Sequence, residues 1–110
     1  MTSVKFLVED KALVGFELSG HCSQNSDDVL GKIVCAAVSS AAYLTANTVT
    51  EIIGDKAEIS EADAKMRFKA INPSASTVAV LEGLKLHLQE LSYQYSNNII
   101  IYGGAKNVKD

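Results

Sequence analysis

Two residues suited to nucleophilic chemistry stand close together near the front of the chain. His21 and Cys35 fall within the stretch GHCSQNSDDVLGKIVCAAVSS, which runs from residue 20 to residue 40. An imidazole can take the proton of a thiol, and the thiolate can then attack a carbonyl carbon while the imidazolium protonates the leaving amine. Cys35 is therefore a candidate nucleophile, and His21 is a candidate general base.

The residues before His21 predict a β-hairpin. Apolar and polar residues alternate over 4–8 and 14–18, and Asp10-Lys11 provides a turn between them. The second strand of this hairpin ends at Gly20 and His21, so the candidate base stands at a strand end.

The residues after His21 predict a loop and then a long helix. Residues 22–31 are mostly polar and predict a mobile loop, whereas residues 33–53 are rich in Ala, Val, Leu and Ile and predict a mostly buried helix. Threonines near Asn47 favour a break there. Cys35 would lie in the first turn or two of this helix, where free N–H groups lower a thiol pKa and can receive an oxyanion.

The second half of the chain repeats the pattern of two strands and a helix. Strands are predicted over 57–60 and 64–70 with a turn near residues 61–63, an amphipathic helix over 74–95, and a buried strand over 99–102. The order ββαββαβ predicts an α/β (α+β) two-layer sandwich, with a largely antiparallel five-stranded sheet and two helices, as a single domain over 1–110.

Composition limits the possible partners. The chain has 110 residues and a net charge of −3, with 47% hydrophobic and 21% charged residues. An acidic protein has no overall attraction to phosphate backbones, so we expect no direct nucleic-acid partner. The apolar runs are interrupted by polar residues, and no signal sequence opens the chain, so we expect a cytoplasmic protein without a membrane segment.

The motif around the two candidate residues resembles that of the ribosomal-processing cysteine protease (Prp) family. The likeness rests on Gly20-His21, a polar loop with a glycine, and the run Ile33-Val34-Cys35-Ala36-Ala37-Val38-Ser39. It implies a catalytic dyad of Cys35 and His21 and a homodimeric enzyme. It also implies a substrate, a large-subunit ribosomal protein that carries a short N-terminal extension. Lys32 stands where the family usually has an acid.

Other residues of the motif are candidates for supporting roles. Gly20 and Gly31 belong to the motif, Ala36 leaves room for substrate, and Ser39 lies one helical turn after Cys35, where it could hydrogen-bond near the thiol or bond its own backbone.

Two alternatives stay open at this stage. The chain could be a non-catalytic binding module for the ribosomal protein, or a thiol redox protein that uses Cys22 and Cys35. We expect no cofactor and no metal, because His21, Cys22, Cys35 and His87 are irregularly spaced for zinc. We interpret His87, and the acidic residues Asp55, Glu58, Glu61 and Asp63, as solvated surface positions.

Overall fold

Five strands and two α-helices alternate along the chain in the predicted order. The structure is a computed structural model that describes residues 1–20 and 28–103. The elements are β1 (Thr2–Glu9), β2 (Ala12–Ser19), α1 (Val29–Asn47), a π-helical segment (Thr48–Ile53), β3 (Ala57–Ala62), β4 (Lys65–Ala70), α2 (Ala75–Gln94) and β5 (Ile99–Gly103).

The strands form one mixed sheet in the order β3-β4-β2-β1-β5. All neighbours are antiparallel except β1 and β5, which are parallel. Phe16 lies opposite Phe6 on one side and Phe68 on the other, and the rings of Phe16 and Phe68 stack with centroids 5.3 Å apart. These rings belong to a core that also contains buried residues of both helices, so the predicted two-layer sandwich with a largely antiparallel sheet is confirmed.

The turn of the first hairpin lies where the sequence predicts it. Asp10 and Lys11 have φ angles of 51° and 68°. Positive φ at both central residues is the geometry that matches the right-handed twist of paired strands. The hairpin directs the end of β2 toward one end of the sheet.

Helix α1 is the core helix of the domain. Its run through the π-helical segment, residues 29–53, is long and apolar enough to span a membrane by length and composition alone. One stripe of this run is buried and belongs to the core; its members are Val34, Val38, Ala42, Ala46 and Val49. A buried stripe of this kind is the signature of a helix that covers a sheet.

The predicted break near Asn47 is a change of helix type. The hydroxyls of Thr45, Thr48 and Thr50 each donate a hydrogen bond to the carbonyl four residues earlier, at 2.9, 2.7 and 3.0 Å. Such bonds compete with the regular helical pattern, and the α-helix gives way to a π-helix at Thr48. Gly54 ends the run with φ of 89°, the left-handed conformation that is common for a glycine at a helix C-terminus.

The beginning of α1 corrects the prediction of a loop over residues 22–31. The helix begins at Val29, and the Asp28 side chain caps it by accepting a hydrogen bond from the Gly31 amide at 2.9 Å. A Cβ on Gly31 would lie 2.3 Å from an Asp28 carboxylate oxygen, so glycine makes room for this cap. The polar residues suggested a loop, but Asp28 and Gly31 together form a helix start. Residues 22–27 lie outside the described residues.

The N-terminus of α2 corrects a second expectation. Asp55 is not a freely solvated carboxylate, because one of its oxygens accepts hydrogen bonds from the Ser74 amide, the Ser74 hydroxyl and the Thr77 hydroxyl at 2.8, 2.8 and 2.6 Å. These bonds hold the pKa of Asp55 below its usual range, the Thr77 bond contributing most. Asp55 thereby ties the segment after the π-helix to the start of α2.

Candidate active site

An open cleft of about 400 Å³ lies at one end of the sheet, between α1 and the ends of four strands. The strands contribute the start of β1, the end of β2 and the β3–β4 turn. The described lining residues are Thr2, Leu18, Ser19, Gly20, Cys35, Ser39, Tyr43, Glu61, Ala62, Ala64, Lys65 and Met66. The cleft therefore brings together Gly20, Cys35 and Ser39 from the sequence motif.

Cys35 is half-buried and lies in the cleft as the seventh residue of α1, counted from Val29. Its position at the end of the second turn agrees with the prediction. The accompanying expectation, that free N–H groups of the helix start act on the Cys35 sulfur, does not hold. In an α-helix only the first four N–H groups lack an intrahelical partner, and the dipole effect falls off within the first turn. The amides next to Cys35 lie beyond that turn, so the helix start is a weak source of charge stabilisation at the sulfur.

Gly20 directly follows β2 beside the cleft and has a conformation that favours glycine. Its φ is 127°, its amide donates a hydrogen bond to the Ala64 carbonyl at 3.1 Å, and a Cβ would lie 2.3 Å from the Met1 carbonyl oxygen. The glycine thus lets the chain leave the sheet at the cleft. His21 follows directly in the sequence and lies outside the described residues, so its predicted role stays a prediction.

The supporting residues of the motif separate into two groups. Ser39 is half-buried and lines the cleft on the same side as Cys35, whereas Ala36 is exposed and is not among the lining residues. Gly31 serves the helix cap. The cleft therefore lies beside Cys35 and Ser39, and Ala36 does not line it.

Asp28 is occupied at the helix start. Its carboxylate accepts a hydrogen bond from the Gly31 amide and so caps the helix. This acidic residue lies close in sequence to Lys32, where the motif lacks its usual acid, but its carboxylate is already used by the cap. Asp27 lies outside the described residues. Lys32 is exposed on the first turns of α1.

Tyr43 and Glu61 are cleft residues that the sequence reasoning missed. The Tyr43 hydroxyl donates a hydrogen bond to a Glu61 carboxylate oxygen. This bond and the negative charge of Glu61 raise the pKa of the Tyr43 phenol. The spacing of Tyr43, eight residues after Cys35 on the helix, was an available signal, but nothing in the local sequence connects it with Glu61. Glu61 is exposed, as predicted, and its carboxylate additionally accepts this hydrogen bond from α1.

The remaining candidate residues stand apart from the cleft. His87 is exposed on α2, as predicted, and lines a groove between the two helices. Within residues 1–20 and 28–103, no group of three or more His, Cys, Asp or Glu side chains is placed to hold a metal ion.

Comparison with known proteins decides the family. The sequence profile described as cysteine protease Prp matches residues 1–100. The chain belongs to the Prp family of cysteine proteases. A comparison with curated proteins gave no significant match.

Solved structures of Prp proteases share the fold. A Staphylococcus aureus Prp ribosomal processing protease bound to a substrate peptide is 18% identical, with a TM-score of 0.82, and covers 94% of this chain and 99% of that chain. The same protease with a covalently linked product peptide is 19% identical, with a TM-score of 0.81 and the same coverage. A Streptococcus mutans protein is 21% identical, with a TM-score of 0.78, and covers 94% and 97%.

Proposed function

We propose that this Prp-family protein is an endopeptidase that removes a short N-terminal extension from a large-subunit ribosomal protein. Cys35 is the nucleophile and His21 is the general base in this proposal. The observation that carries it is the meeting of Cys35, on α1, with Gly20, at the end of β2, in one open cleft. The motif residues are 15 positions apart in the sequence (35 − 20), and the cleft unites their two elements.

The proposed reaction proceeds through a thioester. His21 takes the proton from the Cys35 sulfur, and the thiolate adds to the carbonyl carbon of the scissile bond. The C–N bond then breaks, and His21 gives the proton to the departing amine. Water, deprotonated by His21, attacks the thioester and releases the N-terminal fragment and the thiol. Because Cys35 lies beyond the free amides of α1, charge stabilisation of the thiolate falls mainly to His21.

The oxidation state of Cys35 sets a condition for this chemistry. The Cys35 sulfur is disulfide-bonded in the structure. A disulfide sulfur carries no thiolate, which is the attacking species. Activity therefore requires prior reduction, and a cytoplasmic location, which we also propose, would supply it.

A homodimer is part of the same proposal. Residues of α1 and the π-helical segment expose large apolar side chains, among them Ile33 at 57%, Leu44 at 69% and Ile52 at 80% of their surface. Exposed apolar groups of this size support self-association. Sedimentation equilibrium of the reduced protein should give twice the chain mass of 11.7 kDa, and a monomer at all concentrations would contradict the dimer.

The function is tested by cleavage of the ribosomal protein's N-terminal segment. The reduced wild-type protein should cut this peptide at one bond, as read by mass spectrometry, whereas Cys35→Ala and His21→Ala should lose at least about 10²-fold in rate. Cys22→Ala is the matched control, because it removes a thiol and leaves the dyad. Cleavage by Cys35→Ala would overturn the proposal, and tight binding without cleavage by the wild type would favour the binding-module alternative.

The disulfide at Cys35 also favours a second candidate function, that of a thiol redox protein. This candidate expects the oxidised protein to exchange its disulfide with a dithiol substrate and expects reduced protein to cut no peptide. Retention of peptide cleavage by reduced Cys22→Ala would remove it.

A further inference from the structure

The cleft contains a polar pair whose role the dyad does not explain. Tyr43 and Glu61 both line the cleft that holds Cys35, and the Tyr43 hydroxyl occupies one acceptor position on a Glu61 carboxylate oxygen. An ionised carboxylate has about four acceptor positions, so most of its capacity is available to a ligand. Glu61 is exposed, and no Lys or Arg in the described ranges forms an ion pair with it.

Strand alternation places Glu61 on the cleft side of the sheet. Glu61 lies opposite Met66 in the β3–β4 pairing, and Met66 is buried in the core that faces the helices. Successive side chains of a strand point to opposite faces. Lys65, next to Met66 on β4, therefore lies on the outer face of the sheet, although it also borders the cleft. Glu58 lies opposite Lys69 on the same outer face. Glu61 is thus the carboxylate on the cleft side, and Lys65, the other charged lining residue in the described ranges, comes from the outer face and forms no ion pair with it.

The pair presents two groups that attract a cation. A carboxylate forms charge-assisted hydrogen bonds with Lys and Arg, and an exposed tyrosine ring adds a cation–π contact. Tyr43 is 45% exposed, so part of the residue is accessible to a ligand. A neutral donor such as Gln would gain a hydrogen bond to the carboxylate but no ion pair and no cation–π contact, and an acidic side chain would be repelled.

Helix geometry gives the distance from the nucleophile. Tyr43 follows Cys35 by eight residues on α1, which corresponds to about 12 Å along the helix axis at roughly 1.5 Å per residue. An extended peptide advances about 3.3 Å per residue. A peptide that lies along α1 with its scissile carbonyl at Cys35 would reach the pair with its third or fourth residue from that bond.

We propose that Tyr43 and Glu61 form a specificity subsite that binds a Lys or Arg side chain three to four residues from the scissile bond. This inference rests on the proposed function in one respect, because it takes the substrate to be a peptide whose reacting bond lies at Cys35. Glu61 supplies the charge, and Tyr43 orients the carboxylate through its hydrogen bond.

The test separates binding from cleavage. Peptides from the ribosomal protein's N-terminal segment carry a single Lys or Gln, moved one position at a time through about four residues on each side of the bond. Their affinity is measured by fluorescence anisotropy on Cys35→Ala, and their kcat/KM on the reduced wild type. We expect a preference for Lys over Gln of about two- to fivefold at the third or fourth position on one side, the size of an exposed ion pair.

Variants assign that preference to the pair. Glu61→Gln should abolish it, Glu61→Lys should reverse it toward a Glu-containing peptide, and high salt should weaken it. Glu58→Gln is the matched control, because it removes the same charge from the same strand on the outer face, and the preference should persist. Tyr43→Phe should reduce the preference without reversing it.

The outcomes distinguish the two proposals. A Lys preference that survives Glu61→Gln, or no preference at the third and fourth positions, overturns the subsite even if the peptides are cut. A preference in binding that depends on Glu61, with no cleavage by the wild type, supports the subsite and overturns the endopeptidase. If Cys35→Ala binds none of the peptides and the wild type cuts none, both proposals fail.

Discussion

The Tyr43 hydroxyl on α1 donates a hydrogen bond to the Glu61 carboxylate on β3, within the cleft that also holds Cys35. This contact joins the long helix to the edge strand of the sheet, and both residues line the cleft. Both residues come from segments whose local patterns indicate only structure. Their functional interest arises from their shared cleft with the candidate nucleophile.

The contact predicts the titration of one tyrosine. Because the negative charge and hydrogen bond of Glu61 favour the neutral phenol, the pKa of Tyr43 is raised above its ordinary value of about 10. Glu61→Gln removes the charge and should lower it. Ultraviolet difference titration of wild type, Glu61→Gln and Tyr43→Phe isolates Tyr43 from the other three tyrosines. Identical titration of wild type and Glu61→Gln would contradict this.

The hydrogen bonds at Asp55 predict a loss of stability in acid. Its folded pKa is lowered by bonds from Thr77 and Ser74, so Asp55 stabilises the fold above its unfolded pKa of about 4, and the contribution is lost as pH falls toward the folded pKa. Asp55→Asn should lower Tm at neutral pH, and its deficit relative to wild type should shrink below about pH 4. Asp63→Asn, on the exposed β3–β4 turn, is the control. An equal Tm deficit of Asp55→Asn at every pH would refute the linkage.

Two glycines predict stability changes of opposite sign. Gly20→Ala should destabilise by about 2 kcal/mol, because φ is 127° and the new Cβ would lie 2.3 Å from the Met1 carbonyl oxygen. Gly83→Ala, in the interior of α2 with nothing within 4 Å of the new Cβ, should stabilise by about 0.5–1 kcal/mol. Urea unfolding measures both, and changes of the same sign would contradict the geometry.

The cap of α1 predicts a further stability change. Asp28→Ala removes the acceptor of the Gly31 amide and should cost about 1 kcal/mol in urea unfolding, whereas Asp28→Ser should recover most of it. Because the cap holds the turns that carry Cys35, hydrogen exchange at the start of α1 should also accelerate in Asp28→Ala. Unchanged unfolding in Asp28→Ala would show that Asp28 does not cap the helix in solution.

The order and class of the elements could be predicted from the sequence because they depend on local patterns. Strand alternation, the Asp10-Lys11 turn and the apolar run of α1 each act over a few residues. The start of α1 was missed because the polar composition before it is typical of a loop, and only the geometry of Asp28 with Gly31 makes it a cap. Local sequence patterns therefore predict the type and order of elements, but they do not predict contacts that depend on side-chain geometry.

The candidate site was predictable only in part. The motif led to Cys35 and Ser39, which do share the cleft. The pairing of Tyr43 with Glu61 spans 18 residues and exists only because the sheet brings the end of β3 under α1. The expectation of oxyanion donors beside Cys35 assumed that the helix starts at residue 33. The helix starts at Val29 instead, so its free amides lie before Cys35. Tertiary placement decides both points.

The alkylation rate of Cys35 against pH shows whether Cys35 and His21 form an activated dyad. The protein is fully reduced and treated with iodoacetamide, and peptide mass spectrometry separates Cys35 from Cys22. In the proposed dyad, His21 supplies most of the activation, because the free amides of α1 lie a turn away from Cys35. An activated dyad predicts a midpoint well below the free-thiol value of about 8.5 and its return toward that value in His21→Ala. A midpoint near the free-thiol value in both proteins would contradict it.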